Sequence, residues 1–472
     1  MSDRAAVAPS VTAWRKALPA AARHLRAAVR GETGIAAQLI RGVSGSGLLT
    51  IFNTLATFAT AVLLARLLGA EGYGIYAYAI SWVTLLGVLA KVGIDQVMVR
   101  NIAVYHQAGD WAHIRGILRF SLGLVGAAGG LCALAAAALA WLLHADAPAM
   151  RNALLVACLL LPLQAFTVPF GAAQSGLRQV VNAQLPVLLI VPLAFLLAIG
   201  LMYLLLPPPG FTADQVLAAR VAAVAIGLGA ATLLLRRGLR HAGRPVLLPQ
   251  PQYQAGQWWR SAVPLVLMGS MFMVNANADI LMLGTMAGAP EAGIYKVATR
   301  GAELLTFTIA IISTPLGPLI ARLHAAGDHQ KLQEVIRRVA WLAFLPTACL
   351  GSFFLFNGAL FLRIFGVEYG GPEAVSALHM LTLGQLIHIA VGPVGLLLLM
   401  TGQERDAATS LMTGALLNVI LNAIFIPAWG GVGAATATAI STSVFAGVML
   451  WFVIKRLRIN PTILPFTLKA HP

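Results

Sequence analysis

Ala103-Val-Tyr-His-Gln-Ala-Gly-Asp110 returns 218 residues later as Ala321-Arg-Leu-His-Ala-Ala-Gly-Asp328. The likeness runs on to Ile117-Leu-Arg119 and Val335-Ile-Arg337, and six of the seventeen positions are identical. The turns ahead of the two copies agree as well. Gly69-Ala-Glu71 leads to Gly74-Ile-Tyr76, and Gly288-Ala-Pro-Glu291 leads to Gly293-Ile-Tyr295. A chance match between Ala/Gly-rich stretches does not predict equal spacing of the apolar runs around them. The unit is therefore about 218 residues and holds six apolar helices. Six is even, so both halves keep one orientation in the membrane, related by an axis along its normal, a recurring plan in transporters.

The composition fits that reading. Of 472 residues, 59 % are hydrophobic and 10 % charged, where an ordinary soluble domain carries about 25 % charge. Mean hydropathy is +0.83. Soluble α/β enzymes and disordered chains are excluded at once. About 20 apolar residues span a bilayer as a helix, and such stretches follow one another at 38–66, 73–100, 115–143, 151–176, 180–206, 214–237, 258–285, 291–321, 335–357, 374–401, 406–427 and 430–457. The chain reads as an all-α integral membrane protein of about 12 transmembrane helices. Its expected organisation is a basic amino-terminal segment (1–37), a first six-helix bundle (38–237), a linker (238–257), a second bundle (258–457) and a tail (458–472).

The charges test these cuts. With the amino terminus inside, 25 of the 32 Lys and Arg fall on cytoplasmic segments, and the outside segments keep only Arg66, Arg151 and Arg363. A wrong helix count would scramble this alternation, so both termini are expected in the cytoplasm. The same rule accounts for the net charge of +16 without invoking nucleic acid. Cys132, Cys158 and Cys349 lie inside apolar runs and form neither a disulfide framework nor a metal cluster. No phosphate-cradling loop or catalytic triad appears, so the chain is not expected to be an enzyme.

Three stretches carry a resemblance: Ala65-Arg-Leu-Leu-Gly-Ala-Glu-Gly-Tyr-Gly-Ile-Tyr76, Gly93-Ile-Asp-Gln-Val-Met-Val-Arg100 and Leu360-Phe-Leu-Arg-Ile-Phe-Gly-Val-Glu-Tyr369. They resemble the polysaccharide transporter family, the Wzx-like flippases of the multidrug/oligosaccharidyl-lipid/polysaccharide (MOP) superfamily. The resemblance covers about residues 38–458 and implies two six-helix bundles around a central cavity, in the MATE/MOP manner, working by alternating access. The cargo it implies is an undecaprenyl-pyrophosphate-linked oligosaccharide, moved to the outer leaflet of the bacterial inner membrane. Implied partners are membrane lipids and, beyond them, polysaccharide polymerase and glycosyltransferases. Drug-exporting relatives commonly hold an acid in helix 1. Residues 38–66 contain no Asp or Glu, which argues against a multidrug reading.

Ionisable groups at bilayer depth cost roughly 2.5–3.5 kcal/mol each on insertion scales, so they face a cavity or a partner. A lipid pyrophosphate calls for Lys and Arg. The expected cavity cations are Lys296, Arg300, Lys91 and Arg66, with Asn53, Asn275, Asn277 and Gln385 replacing water around hydroxyls. Lys296, Arg300 and Glu303 step by four and three and share a helix face; Lys91 and Asp95 step by four. The competing reading pairs Lys91 with Asp95 and Arg300 with Glu303, fixing helix register only. Arg220, near a helix end, is expected to snorkel. No cofactor is expected, but coupling to H+ or Na+ would need a carboxylate, for which Asp279, Glu303 and Asp95 are the candidates. The competing functions are another twelve-helix secondary transporter, of multidrug or major-facilitator type, and a membrane polysaccharide polymerase or ligase. The last would need a large outside loop with a nucleophile, and no loop here provides one.

Overall fold

A computed structural model describes residues 35–205, 210–243 and 249–464. The expected basic segment 1–37 lies almost wholly outside the described residues, as does the end of the tail. Among the described residues the chain is helical and no strand forms. The helices are α1 (Ile35–Lys91), α2 (Ile94–Gln107), α3 (Trp111–Leu143), α4 (Pro148–Cys158), α5 (Leu160–Gly176), α6 (Val180–Leu185), α7 (Val191–Leu205) and α8 (Ala213–His241) in the first half. The second half holds α9 (Ala255–Met286), α10 (Ala289–Ala325), α11 (His329–Leu362), α12 (Pro372–Val391), α13 (Val394–Met400) and α14 (Glu404–Leu457).

Two of these helices are folded rods. At Gly69 (φ 66°, ψ 179°) α1 leaves the helical region, and its two arms line one cavity. At Gly430 (φ 51°, ψ −130°) α14 does the same, and Asn418 reaches back across the bend to Thr438 and Ser441 at 3.2 Å each. Counted by rod, and taking the second arm of α1 with α2, α4 with α5, α6 with α7 and α12 with α13 as single passes, twelve spans are present among the described residues. Eight stretches of the described residues are by themselves long and apolar enough to cross a membrane, including the two folded ones.

Four of the expected spans are broken internally. Val92 and Gly93, both at positive φ, interrupt 73–100 because a Cβ on Gly93 would stand 2.8 Å from the Ala262 carbonyl oxygen. Leu159 separates α4 from α5, and a π-helical turn at Pro186–Ile190 divides α6 from α7, where proline supplies no backbone N–H. Gly392 (φ 88°) ends α12 against the tail, with the Pro461 carbonyl oxygen 2.2 Å from the place of a Cβ.

The repeat is visible in backbone geometry. Asp110 caps α3 by accepting the His113 N–H at 3.0 Å, and Asp328 caps α11 by accepting the Lys331 N–H at 3.1 Å. Each follows a left-handed glycine, Gly109 at φ 69° and Gly327 at φ 68°. The folded turn at Gly69 is matched by Gly288 (φ 94°, ψ 173°) at the start of α10.

These turns define two ends of the molecule, a glycine end (Gly69, Gly288) and a capped end (Asp110, Asp328). At the glycine end a single buried cluster joins the halves, uniting Leu64, Ala65 and Tyr73 with Tyr295, Phe361 and Leu378. Toward the capped end the core splits in two. One cluster gathers Ile94, Met98, Ile102 and Ile117, the other Leu316, Ile320, Leu332 and Ile336. The molecule is a V, packed at its vertex. Helix α9 crosses between the lobes: its start, at Trp258 and Ala262, belongs to the first lobe's cluster, and its later residue Asp279 bonds into the second lobe. The outward faces are apolar, as a lipid-facing surface requires, with Leu131, Leu204, Phe356 and Leu416 well exposed.

Candidate functional site: a cationic cavity between the lobes

Inside the V, walled chiefly by first-lobe helices and closed on one side by Asn277, Lys296 and Arg300, lies a cavity of about 630 Å³, within the range of a small-molecule site. Lys296 and Arg300, one turn apart on α10, form its second-lobe wall. Lys91, Asn53 and Asn277 line it as well. So does Arg220, which corrects the expectation of snorkelling. Arg220 donates to the Tyr76 hydroxyl at 3.0 Å and lies 5.3 Å from the Phe195 ring centroid, so an apolar and aromatic wall turns it inward. Among the described residues the lining holds four cations and no Asp or Glu.

Glu303 decides whether these charges are already cancelled. It pairs with Arg300 at 2.6 Å and with Lys296 at 3.8 Å, and its side chain is 51 % exposed. One carboxylate stands against two cations, and neither Arg220 nor Lys91 has a carboxylate partner among the ion pairs of the described residues. The Arg300–Glu303 pair therefore exists, yet the cavity keeps a positive surplus. The Lys91–Asp95 pair is absent. Val92 and Gly93 break the helix between them, so the four-residue spacing no longer means a shared face. Lys91 turns to the cavity, and Asp95 lines a separate recess with Gln96 and Arg100.

Three other expected lining residues lie elsewhere. Arg66 stands at the vertex and donates to the Ile364 carbonyl at 2.8 Å, joining the lobes instead of facing the cavity. Asn275 and Gln385 are half-buried and outside the lining. In each case depth along the helix was readable but azimuth was not. The sequence reading also missed several lining residues: Thr57, Thr60, Tyr73, Tyr76, Thr84, Gln164 and Thr167. One signal was available, because Thr57 and Thr60 follow Asn53 by four and seven residues on one helical face.

Asp279 does not open to this cavity. It is 5 % exposed and sits in a polar knot of the second lobe. Its carboxylate accepts the Ile280 N–H at 2.9 Å, the Tyr295 hydroxyl and the Thr438 hydroxyl at 3.4 Å. Asn418 donates to Thr438, and Asn422 donates to Asn418 at 3.0 Å. The Asn422 side-chain oxygen is buried without a hydrogen-bond partner. Helices α9, α10 and the second arm of α14 thus meet on one carboxylate, and the first arm of α14 is joined to it through Asn418 and Thr438.

Residues 39–324 match the family described as polysaccharide biosynthesis protein, and residues 264–424 match the MatE family. The probable low-salt glycan biosynthesis flippase Agl15 of Haloferax volcanii is 27 % identical over 173 residues, 35 % of this chain and 35 % of the relative. The curated relatives it matches are covered over less than half their length. In fold, the chain is similar to an inward-facing multidrug resistance MATE transporter of the MOP superfamily (TM-score 0.68, 14 % identity, 84 % of this chain, 94 % of that one). It is also similar to the lipid II flippase MurJ in an inward closed conformation (TM-score 0.65, 12 % identity, 88 % and 87 %).

Proposed function

The chain belongs to the polysaccharide biosynthesis protein family of the MOP superfamily, and from that premise we propose that it flips an undecaprenyl-pyrophosphate-linked oligosaccharide across the bacterial inner membrane by alternating access. The observation that carries this reading is the surplus of positive charge in the cavity, Lys296, Arg300, Arg220 and Lys91 against no lining carboxylate among the described residues. A pyrophosphate leaving the leaflet surface loses water and needs charged donors in exchange. With both termini in the cytoplasm, the glycine end is periplasmic, and the V opens inward to receive cargo from the inner leaflet. The glycosyltransferases that build such a lipid and the polymerase that consumes it are the partners this reading supplies.

The multidrug alternative fares worse for any cationic drug, since the same cations would repel it. Coupling to H+ or Na+ falls to Asp279. Asp95 is in another recess, and Glu303 is already held by two cations, whereas Asp279 ties α9, the helix that crosses between the lobes, to α10 and α14 of the second lobe. The experiment is flipping in proteoliposomes. A fluorescent undecaprenyl-pyrophosphate disaccharide, added to one leaflet, is expected to become accessible on the other in the presence of the protein. The double variant Lys296→Gln/Arg300→Gln is expected to abolish that. Unimpaired flipping by the variant, or selective export of a cationic dye by the native protein, overturns the proposal.

A further inference from the structure

The capped ends of the two lobes treat charge differently. In the second lobe Lys331 pairs with Asp328 at 2.8 Å, Arg456 with Asp406 at 2.9 Å, and Arg338 with Glu334. In the first lobe Arg119, Arg178, Arg236, Arg237, Arg240 and Arg260 are exposed, and none of them has a carboxylate partner among the ion pairs of the described residues. The acids nearby are turned elsewhere: Asp110 bonds His113, and Asp95 lines its recess. The rule that places cations on cytoplasmic segments counts Lys and Arg and is nearly indifferent to carboxylates. It accounts for cations at both capped ends, but not for this difference between them.

The six arginines belong to one end of one lobe, and packing gathers them. Gln179 donates to the Gly238 carbonyl at 3.1 Å, which seats the turn carrying Arg178 against the part of α8 that carries Arg236, Arg237 and Arg240. Arg178 itself holds φ 61°, a backbone that glycine adopts freely and a side chain makes strained. Phe120 and Trp258 pack with ring centroids 5.4 Å apart, joining the helix starts that carry Arg119 and Arg260. Leu177, Leu235 and Trp258 share the buried cluster beneath.

The direction these arginines face is legible on α8. Its exposed stripe runs Ile226, Leu233, Arg237 and Arg240, opposite the face that gives Arg220 and Val224 to the cavity. An outer stripe that is apolar and then cationic follows the passage from acyl chains to headgroups. Val180 and Trp259, both exposed and close in sequence to Arg178 and Arg260, mark the same boundary.

We propose that the capped end of the first lobe is a docking surface for the headgroups of anionic phospholipids, and that the capped end of the second lobe is not. A guanidinium takes phosphate oxygens through two parallel N–H donors, and the hydrocarbon-facing residues beside these arginines suit a lipid better than a soluble acidic protein. Nothing in this depends on what the cavity carries. One lobe is thereby held in the headgroup layer while the other, its charges matched internally, rocks against it.

The test uses the purified full chain in phosphatidylcholine vesicles holding a trace of spin-labelled phosphatidylglycerol or spin-labelled phosphatidylcholine. Electron spin resonance reads the fraction of each label immobilised by the protein, and the ratio of the two is the preference. The native protein is expected to prefer phosphatidylglycerol by about fivefold or more, and to lose that preference as salt is raised. Arg236→Gln/Arg237→Gln/Arg240→Gln is expected to lower the ratio by about threefold or more. Arg337→Gln/Arg338→Gln, at the capped end of the second lobe, is expected to leave it unchanged. Arg178→Gln/Arg260→Gln, from other elements of the same surface, gives the reading if the triple variant does not fold. No preference in the native protein, a ratio untouched by the first-lobe substitutions, or an equal loss from the second-lobe pair overturns the docking surface. Binding of poly-glutamate by the native protein without a preference for phosphatidylglycerol also overturns it, and assigns the arginines to an acidic protein.

Discussion

Asp279 and Glu303 are both carboxylates near the middle of the membrane, and the sequence alone gave no ground for choosing between them. Their surroundings separate them. Glu303 is half-exposed and salt-bridged within its own helix to Arg300. Asp279 is buried and gathers donors from α9, α10 and α14. A group that reports on helix arrangement is the better coupling site, so Asp279→Asn is expected to abolish the dependence of flipping on an imposed ion gradient while leaving expression intact. Glu303→Gln is expected to keep that dependence. Gradient-driven flipping by the Asp279 variant would remove the coupling role. Arg220 supplies a second prediction at this scale. Charge-assisted hydrogen bonds are worth about 1.5–3 kcal/mol, so Arg220→Gln is expected to weaken farnesyl pyrophosphate binding by roughly ten- to a hundredfold. Affinity equal to the native value would return Arg220 to an architectural role. Lys296 and Arg300 were legible because a charge inside an apolar run has to be explained. Arg220 was not, because its distance from the helix end says nothing about the direction it faces.

Asp110 shows how much a local signal can carry. In sequence it belongs to a Gly-Asp pair that recurs as Gly327-Asp328, and in structure each pair turns the chain and caps the next helix. Partial burial pushes the Asp110 carboxyl upward, but the His113 backbone and ring hydrogen bonds more than offset this and hold it below the usual carboxylate range. The sign follows from linkage. The cap contributes stability above the unfolded carboxylate value near pH ~4 and loses it as pH falls through the lower folded value. Asp110→Ala is expected to cost about 1 kcal/mol, seen as a lower unfolding temperature in detergent. The decrement should be the same at pH 7 and pH 5; a decrement that vanished by pH 5 would mean that another group holds the turn. The rods and their turns were legible for such reasons. The breaks were not. Val92, Leu159 and Gly392 lie inside apolar runs, where hydropathy records depth but not the neighbour that forces the backbone apart, such as Ala262 behind Gly93 or Pro461 behind Gly392. Pro186 was the exception with a visible cause.

The whole molecule turns on one contact at its vertex. A Cβ on Gly74 would stand 1.7 Å from the Ala289 carbonyl oxygen, and a Cβ on Gly293 would stand 2.1 Å from the Ala70 carbonyl oxygen. Gly74 and Gly293 are corresponding residues of the repeat, and so are Ala70 and Ala289. Each lobe thus presses a glycine against the other's backbone in the same way, and the pseudo-twofold axis passes between them. Around this point Arg66 bonds Ile364, and the Tyr369 hydroxyl donates to the Ala65 carbonyl at 3.3 Å, all closing the glycine end. Alternating access requires these contacts to part when the capped ends meet. A side chain at Gly74 therefore penalises one state only. Overpacking of this kind costs about 1–3 kcal/mol, enough to shift a two-state ratio by roughly tenfold or more. Spin labels at Ala108→Cys and Ala326→Cys, exposed and equivalent positions at the two capped ends, would read the shift with the three native cysteines replaced. Gly74→Ala is expected to move the distance distribution toward shorter values, as the capped ends close, and Gly293→Ala to do the same because the axis makes the two sites equivalent. A distribution unchanged in both variants would mean that the vertex does not open, and the rocking of two matched lobes would have to give way to movement within one of them.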